Sequence, residues 1–260
     1  MSQFYIKSKH FTTKHVWFEP FDPKKIGGGC DRLIVYGCLT EEKRIGRIPC
    51  TAVPRKTLIT NLNAPVEELW KQPTKTIRNE INRSKRENVQ VAVYSGREIT
   101  DELLRGFDRM FHEMFEEKGI SERTLPLGEL REYASKDALV ITAALIDDIP
   151  VVYHSYITDD SHSRLLHSCS QFRAADNAQR NAIGRANKYL HWCDWLYLKE
   201  KGVKEYDWGC IGSYECPSSI DQFKLSFGGS YKEYYQLSCD YSFAARLYAK
   251  LQKGMQLLKH

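Results

Sequence analysis

Residues 176–209, DNAQRNAIGRANKYLHWCDWLYLKEKGVKEYDWG, constrain this chain more than any other stretch. They read as one long helix followed by one short strand. Asp176 is placed to accept from the first free backbone N–H groups, and Gln179 stands where a capping-box partner reaches back. Ile183, Ala186, Leu190, Cys193 and Tyr197 recur at helical spacing and form one apolar stripe. Lys199 and Lys201 fall in the last turn, where the helix dipole favours cations, and Gly202 is the stop. Val203 to Trp208 then reads as a strand ending at Gly209.

Upstream come three strands at close spacing: 138–146, 151–158 and 163–172, joined by the turns Asp147-Asp148 and Asp159-Asp160-Ser161. The order is therefore strand, strand, strand, helix, strand. An antiparallel meander followed by a crossover helix predicts a last strand parallel to the third one. Earlier still, 15–18, 33–39 and 58–62 read as strands, and Gly27-Gly28-Gly29 as a turn. Helical patterns cover 65–88 (interrupted at Pro73), 100–119 and 127–135, and 89–94 is a strand. After the crossover unit come a short helix from Ser218 to Gly228-Gly229, a strand at 231–237 and an amphipathic helix at 241–258.

A net charge of +5 suits an anionic ligand and falls short of a dedicated nucleic-acid binder. The first residues lack an apolar signal region and no later run has bilayer length, so a cytoplasmic protein without membrane insertion is expected. None of the eight cysteines forms a C-x-x-C pair, which argues against a zinc site, and free, mostly buried thiols are expected.

Three segments resemble the Fem-type subgroup of the GNAT acyltransferases, the peptidoglycan bridge-forming aminoacyltransferases and their relatives. Residues 57–93 resemble its strand, helix and basic R-x-x-I-x-x-(A/S) helix. Gly202 to Gly209 is similar to its G-x-x-x-Y-D-x-G strand, and Phe223-Lys-Leu-Ser-Phe-Gly228 to its F-K-x-x-F-G motif. The resemblance spans about residues 57–237. It implies an α+β fold with a mixed, mostly antiparallel sheet flanked by helices. It also implies a reduced N-terminal half (1–95) and an acyltransferase domain (96–260). The chain is shorter than bridge-forming members and has no long helical hairpin arm. This points to relatives that transfer an acyl group from acyl-CoA, acetyl-CoA first, to an amine of a sugar or cell-envelope precursor. Aminoacyl-tRNA as donor is the first rival, and a non-catalytic GNAT-like binding module the second. No metal is implied, and pairing with a second copy would restore a two-domain shape.

Acyl transfer from a thioester to an amine requires a held donor, a base and a stabilised oxyanion. Donor pyrophosphate is assigned to the backbone of Ala182, Ile183, Gly184, Arg185 and Ala186, helped by the Arg180 and Arg185 side chains. Asn181 stands where the family pattern has Gln or Arg. The same residues also suit close packing on a sheet. Asp207 is the first candidate base, or else a carboxylate holding a loop. His154 and His167 sit on adjacent strands and are expected to face each other, in a catalytic or a packing role. Glu215 is a further candidate. Lys224 is given oxyanion or phosphate stabilisation by the resemblance. Arg78 and Arg83 suit acceptor phosphates or a solvated face; Tyr153, Tyr156 and Tyr214 suit an acceptor pocket or the core.

Overall fold

The computed structural model describes residues 2–8, 11–18, 29–120, 123–171 and 176–257. Most of the triple-glycine turn, the end of the expected strand at Phe172 and the end of the expected last helix at Leu258 lie outside the described residues. Two compact units are present, one made of residues 1–56 and 232–260, the other of residues 57–231. Position 95, expected as a boundary, lies inside the second unit.

The first unit contains β1 (Ser2–Lys7), β2 (Thr12–Trp17), β3 (Arg32–Cys38), β4 (Arg44–Ile45), the first part of β5 (Ile48–Asn61) and most of β11 (Ser230–Asp240). β1 runs antiparallel to β2, β2 parallel to β3 and β3 antiparallel to β11. Val16, Leu33, Val35, Ile45 and Leu237 form its core. Arg32 crosses to Asp240 at 2.6 Å. β1 was not expected from the sequence. Free thiols were expected throughout, yet Cys50 and Cys239 form a disulfide across 189 residues of chain. The sequence pattern misses it because the two cysteines meet only through non-local strand pairing.

In the second unit the strand order is β5, β10 (Glu205–Ile211), β9 (His162–Ser170), β8 (Ile149–Thr158), β7 (Leu139–Ile146) and β6 (Gln90–Ser95). β6 to β9 are antiparallel neighbours, and β10 is parallel to β9, as the crossover argument requires. This is the mostly antiparallel, helix-flanked sheet anticipated above. The crossover helix α5 (Asn177–Glu200) begins with the Asp176–Gln179 capping box and ends before Gly202, whose φ is 88°. The preceding helices are α1 (Val66–Lys71), α2 (Lys75–Arg86), α3 (Asp101–Glu116) and α4 (Leu127–Ser135). α2 is capped by Thr74 and α3 by Thr100. α6 (Ser219–Leu225) carries a second capping box, Ser218–Asp221. Helix α7 (Phe243–Leu257) closes the chain in the first unit.

Strand alternation places the two helix layers on opposite faces. Ile183, Ala186 and Leu190 of α5 pack on Ala144, Val151 and Val152. Phe107 and Phe111 of α3 meet Tyr153 and His167 on the other face. Around the second half of α5 lies an aromatic core of Trp192, Trp195, Tyr156, Tyr206, Trp208 and Phe227. Fully burying each such ring is worth about 1.5–3 kcal/mol. Among the described residues no helix is long and apolar enough to cross a membrane.

Unreduced, denatured protein is expected to titrate six thiols with a thiol reagent, the six cysteines outside the disulfide. A count of eight would contradict the pairing. Cys239→Ser is expected to lower stability by about 2–5 kcal/mol in denaturant melts.

Candidate active site

Parallel pairing between β9 and β10 covers only Glu205↔His162, Tyr206↔Ser163 and Asp207↔Arg164. Two local features end it. β9 carries an extra residue at Leu166, where the register to β8 shifts between Ser155 and Tyr156. In β10, Gly209 adopts φ 75°, and a Cβ there would lie 3.0 Å from the Leu165 carbonyl oxygen. Beyond this point the strands diverge. A cavity of about 510 Å³ occupies the opening, within the size range of small-molecule sites. Its walls include Leu165, Ser168 and Cys169 of β9, Trp208 of β10 and Met114 and Phe115 of α3. Gly184, Asn187, Lys188 and His191 of α5, with Phe223 and Lys224 of α6, complete the charged and polar side.

Three lysines, Lys118, Lys188 and Lys224, line the cavity, and no carboxylate does among the described residues. Lys188 is paired with Glu80 of α2 at 2.8 Å. Lys224 donates to the Cys210 carbonyl oxygen at 2.8 Å, which leaves ammonium protons for a ligand. Burial lowers its pKa, only partly offset by Cys210 and then by Asp207 nearby.

Beneath the cavity lies a buried polar network. His191 Nδ1 is 3.1 Å from the Tyr206 hydroxyl, which is 3.1 Å from the Tyr156 hydroxyl. Tyr156 donates to Asp194 Oδ2 at 2.5 Å. His154 lies with Nδ1 2.8 Å from the same oxygen and Nε2 2.8 Å from Asn187 Oδ1. Burial raises both tyrosines well above the ordinary phenol range, reinforced by the Asp194 charge. Burial likewise holds His191 far below the ordinary imidazole range, helped by His154 and Lys224, so it is neutral at pH 7. Asp194 Oδ1 and Trp195 Nε1 have no partner among the described residues. Each such atom costs about 1–3 kcal/mol, so this region is not optimised for stability alone. His154, His191 and Asp194 bring ligand atoms within 4.8 Å of one another, the spacing of a metal site. However, the two imidazoles stack at 4.1 Å and 28°, so their in-plane lone pairs do not converge, and the donors fit a hydrogen-bonded chain better than an ion.

The sequence candidates fall into three groups. Lys224 and Gly184 line the cavity, while His154 and Tyr156 lie in the network behind it. Others are committed to structure. Asp207 accepts from Arg164 at 2.8 Å, from the Gly209 amide at 2.8 Å and from the Thr57 hydroxyl, so its oxygens join three strands. Arg185 forms two bonds to Glu87, at 3.0 and 2.9 Å, and Arg83 pairs with that same carboxylate. Arg78 donates to the carbonyl oxygens of Lys71 and Pro73, bracing the turn between α1 and α2. Tyr153 stacks on Phe107, and the Tyr214 hydroxyl donates to the Thr57 carbonyl. His167 and His154 do not face each other, because His167 pairs in register with Ser155 and His154 with Ser168, on opposite faces.

The third group lies away from the cavity. Glu215 is exposed in the following loop, where Ser213 donates to it at 3.0 Å. Arg180 is exposed in the first turn of α5. The expected pyrophosphate cradle is also displaced. Arg180 N already donates to the Asp176 carbonyl, so the amides of Ala182, Ile183 and Ala186 lie inside the helix, beyond its free N–H groups. The sequence reading missed Asn187, His191 and Asp194. Their i, i+4, i+7 spacing marks a polar stripe on the inner face of an otherwise apolar, Trp-rich helix.

No protein-family model and no curated protein matches the sequence. Solved structures do share the fold. FemX aligns with a TM-score of 0.58 at 12% identity, over 95% of this chain and 85% of that one. The C-terminal domain assigned to a lysylphosphatidylglycerol synthetase from Agrobacterium fabrum aligns with 0.57 at 11% identity, over 95% and 83%. L-PGS from Bacillus licheniformis aligns with 0.53 at 13% identity, over 81% and 69%. At these identities the likeness is one of fold, and the Fem-type resemblance read from the sequence holds at that level.

His167 packs edge-on against Phe111, and its pKa falls from 6.5 to about 4, first through burial and then through Arg123. A histidine buried neutral contributes stability that is present above its ordinary pKa and lost as pH falls from about 6.5 towards 4. Urea melts of His167→Phe are expected to show a weaker decline between pH 7 and 4.5 than wild type. An unchanged pH slope would contradict this assignment.

Proposed function

We propose that this protein is an acyl-group transferase, forming an amide between an activated acyl donor and an amine acceptor. One observation carries the reading. The opening between β9 and β10 is lined by apolar side chains and places the Lys224 ammonium and a neutral His191 around the same space, with no carboxylate among its described lining residues. An acyl carbonyl developing negative charge there meets a cation that is partly desolvated, where an electrostatic contact is stronger than in open water. Lys224 stabilises the oxyanion, and the apolar wall formed by Met114, Phe115 and Leu165 receives the acyl group and excludes water.

Acyl-CoA, acetyl-CoA above all, is the donor implied by the sequence resemblance. A specific observation favours an aminoacyl ester, as carried by aminoacyl-tRNA. The α5 N-terminus is closed by its own Asp176 carboxylate, which accepts from Gln179 N at 2.9 Å, and Arg185 is held by Glu87. A pyrophosphate there would meet a negative charge and lose Arg185, one of its two expected arginines. Lysylphosphatidylglycerol, in the name of the Agrobacterium fabrum protein, is itself an aminoacyl derivative. Amino sugars and cell-envelope precursors are the acceptors to screen first.

Incubation with aminoacyl-tRNA or acetyl-CoA and a panel of amines, read by mass spectrometry, is expected to yield an amide product. The aminoacyl donor is expected to be preferred. Lys224→Met is expected to reduce turnover by about 100-fold or more while remaining folded. A non-catalytic module would give no amide with either donor, and that result, or full activity in Lys224→Met, would overturn the reading.

A further inference from the structure

Hydrogen-bond direction in the buried network is set by counting protons. A phenol has one proton to give. Tyr156 gives its proton to Asp194 Oδ2, since the carboxylate oxygen is the acceptor of that 2.5 Å contact. In the 3.1 Å contact between the two tyrosines, Tyr206 must therefore be the donor. Having spent its proton there, Tyr206 can only accept from His191, so His191 Nδ1 carries a hydrogen and donates it across 3.1 Å. A neutral imidazole protonated on Nδ1 has its lone pair on Nε2. His191 lines the cavity, and among the described residues its hydrogen bond is made by Nδ1, with none to Nε2.

We propose that His191 is the general base of the transfer, and that Tyr206, Tyr156 and Asp194 are positioning residues that fix its tautomer. This rests on the acyl-transfer reading above. In the step, the acceptor nitrogen's lone pair forms the bond to the acyl carbon and its proton passes to His191 Nε2. The C–O or C–S bond of the donor then breaks. The leaving group departs with the electron pair and takes that proton back from Nε2. The imidazolium formed in between donates through Tyr206 and Tyr156 towards Asp194. The groups around the ring fit this role. From α6, Lys224 supplies a positive charge that disfavours a resting imidazolium. From β8 and β10 come His154, stacked at 4.1 Å, and the phenols of Tyr156 and Tyr206. Trp208, Phe223 and Phe227 hold the ring at centroid distances of 4.8, 5.6 and 5.5 Å. The chain starts at His191 in the cavity wall and ends on Asp194, each with 1% exposure.

Nitrogen NMR of histidine-labelled protein tests the tautomer without any substrate. The expected result is a neutral His191 protonated on Nδ1 throughout pH 6–8. In Tyr206→Phe the ring is expected to shift towards the Nε2-protonated form. Turnover of that variant is expected to drop about 10-fold, with little change in KM for the donor. His191→Gln is expected to lose about 100-fold or more in turnover while still binding donor. A wild-type ring protonated on Nε2, or a tautomer indifferent to Tyr206→Phe and Asp194→Asn in folded protein, would overturn the positioning role even if transfer is observed. The expected tautomer without transfer from any donor would instead overturn the base role together with the transfer reading. Full activity in His191→Gln would overturn the base role alone.

Discussion

A parallel strand pair that stops after three residues leaves an opening between two strands, and the candidate site of this protein depends on it. Asp207 sits at the last paired position and holds the fork. Its carboxylate takes hydrogen bonds from Arg164 of β9, the Gly209 amide of β10 and the Thr57 hydroxyl of β5. Charge-assisted bonds of this kind are among the stronger ones available to a protein. Just beyond, the bulge at Leu166 and the left-handed Gly209 turn the strands apart. A structural carboxylate and a glycine thereby frame the space in which the candidate site lies.

The wall of the space closest to the core is polar where the surroundings are aromatic. His154, His191 and Asp194 are all but fully buried among Trp195, Tyr206, Trp208 and Phe227. Polar groups in such a place destabilise the fold unless each finds a partner. Here most do, and two atoms do not. The cost of this arrangement is understandable if the chain of hydrogen bonds fixes a proton on one side of His191 and leaves the other side open to the cavity.

Local signals made much of the second unit legible. The capping box at Asp176, the stop at Gly202 and the hairpin turns all act over a few residues, and the structure places them where the sequence implies. Parallel pairing of β10 with β9 followed from connectivity alone. The site was less legible, because its residues are chosen by tertiary partners. Arg185 looked available for phosphate until Glu87, 98 residues away, claimed it. Asp207 and the two strand histidines attract attention as residue types, yet the strand register decides what they face. The Cys50–Cys239 pair illustrates the same point in the first unit, since its partners meet only through strand pairing. What the sequence did contain, unread, was the Asn187, His191, Asp194 stripe along one face of α5.

The most direct test of this account is a crystal structure with an unreactive donor analogue, in which an amide or thioether replaces the labile bond. The account predicts the acyl group inside the opening between β9 and β10. Its carbonyl oxygen should lie within hydrogen-bond reach of Lys224 Nζ, and His191 Nε2 should be open to the acceptor side. An analogue bound with its acyl group outside this opening, or one that leaves Lys224 on the Cys210 carbonyl alone, would contradict it.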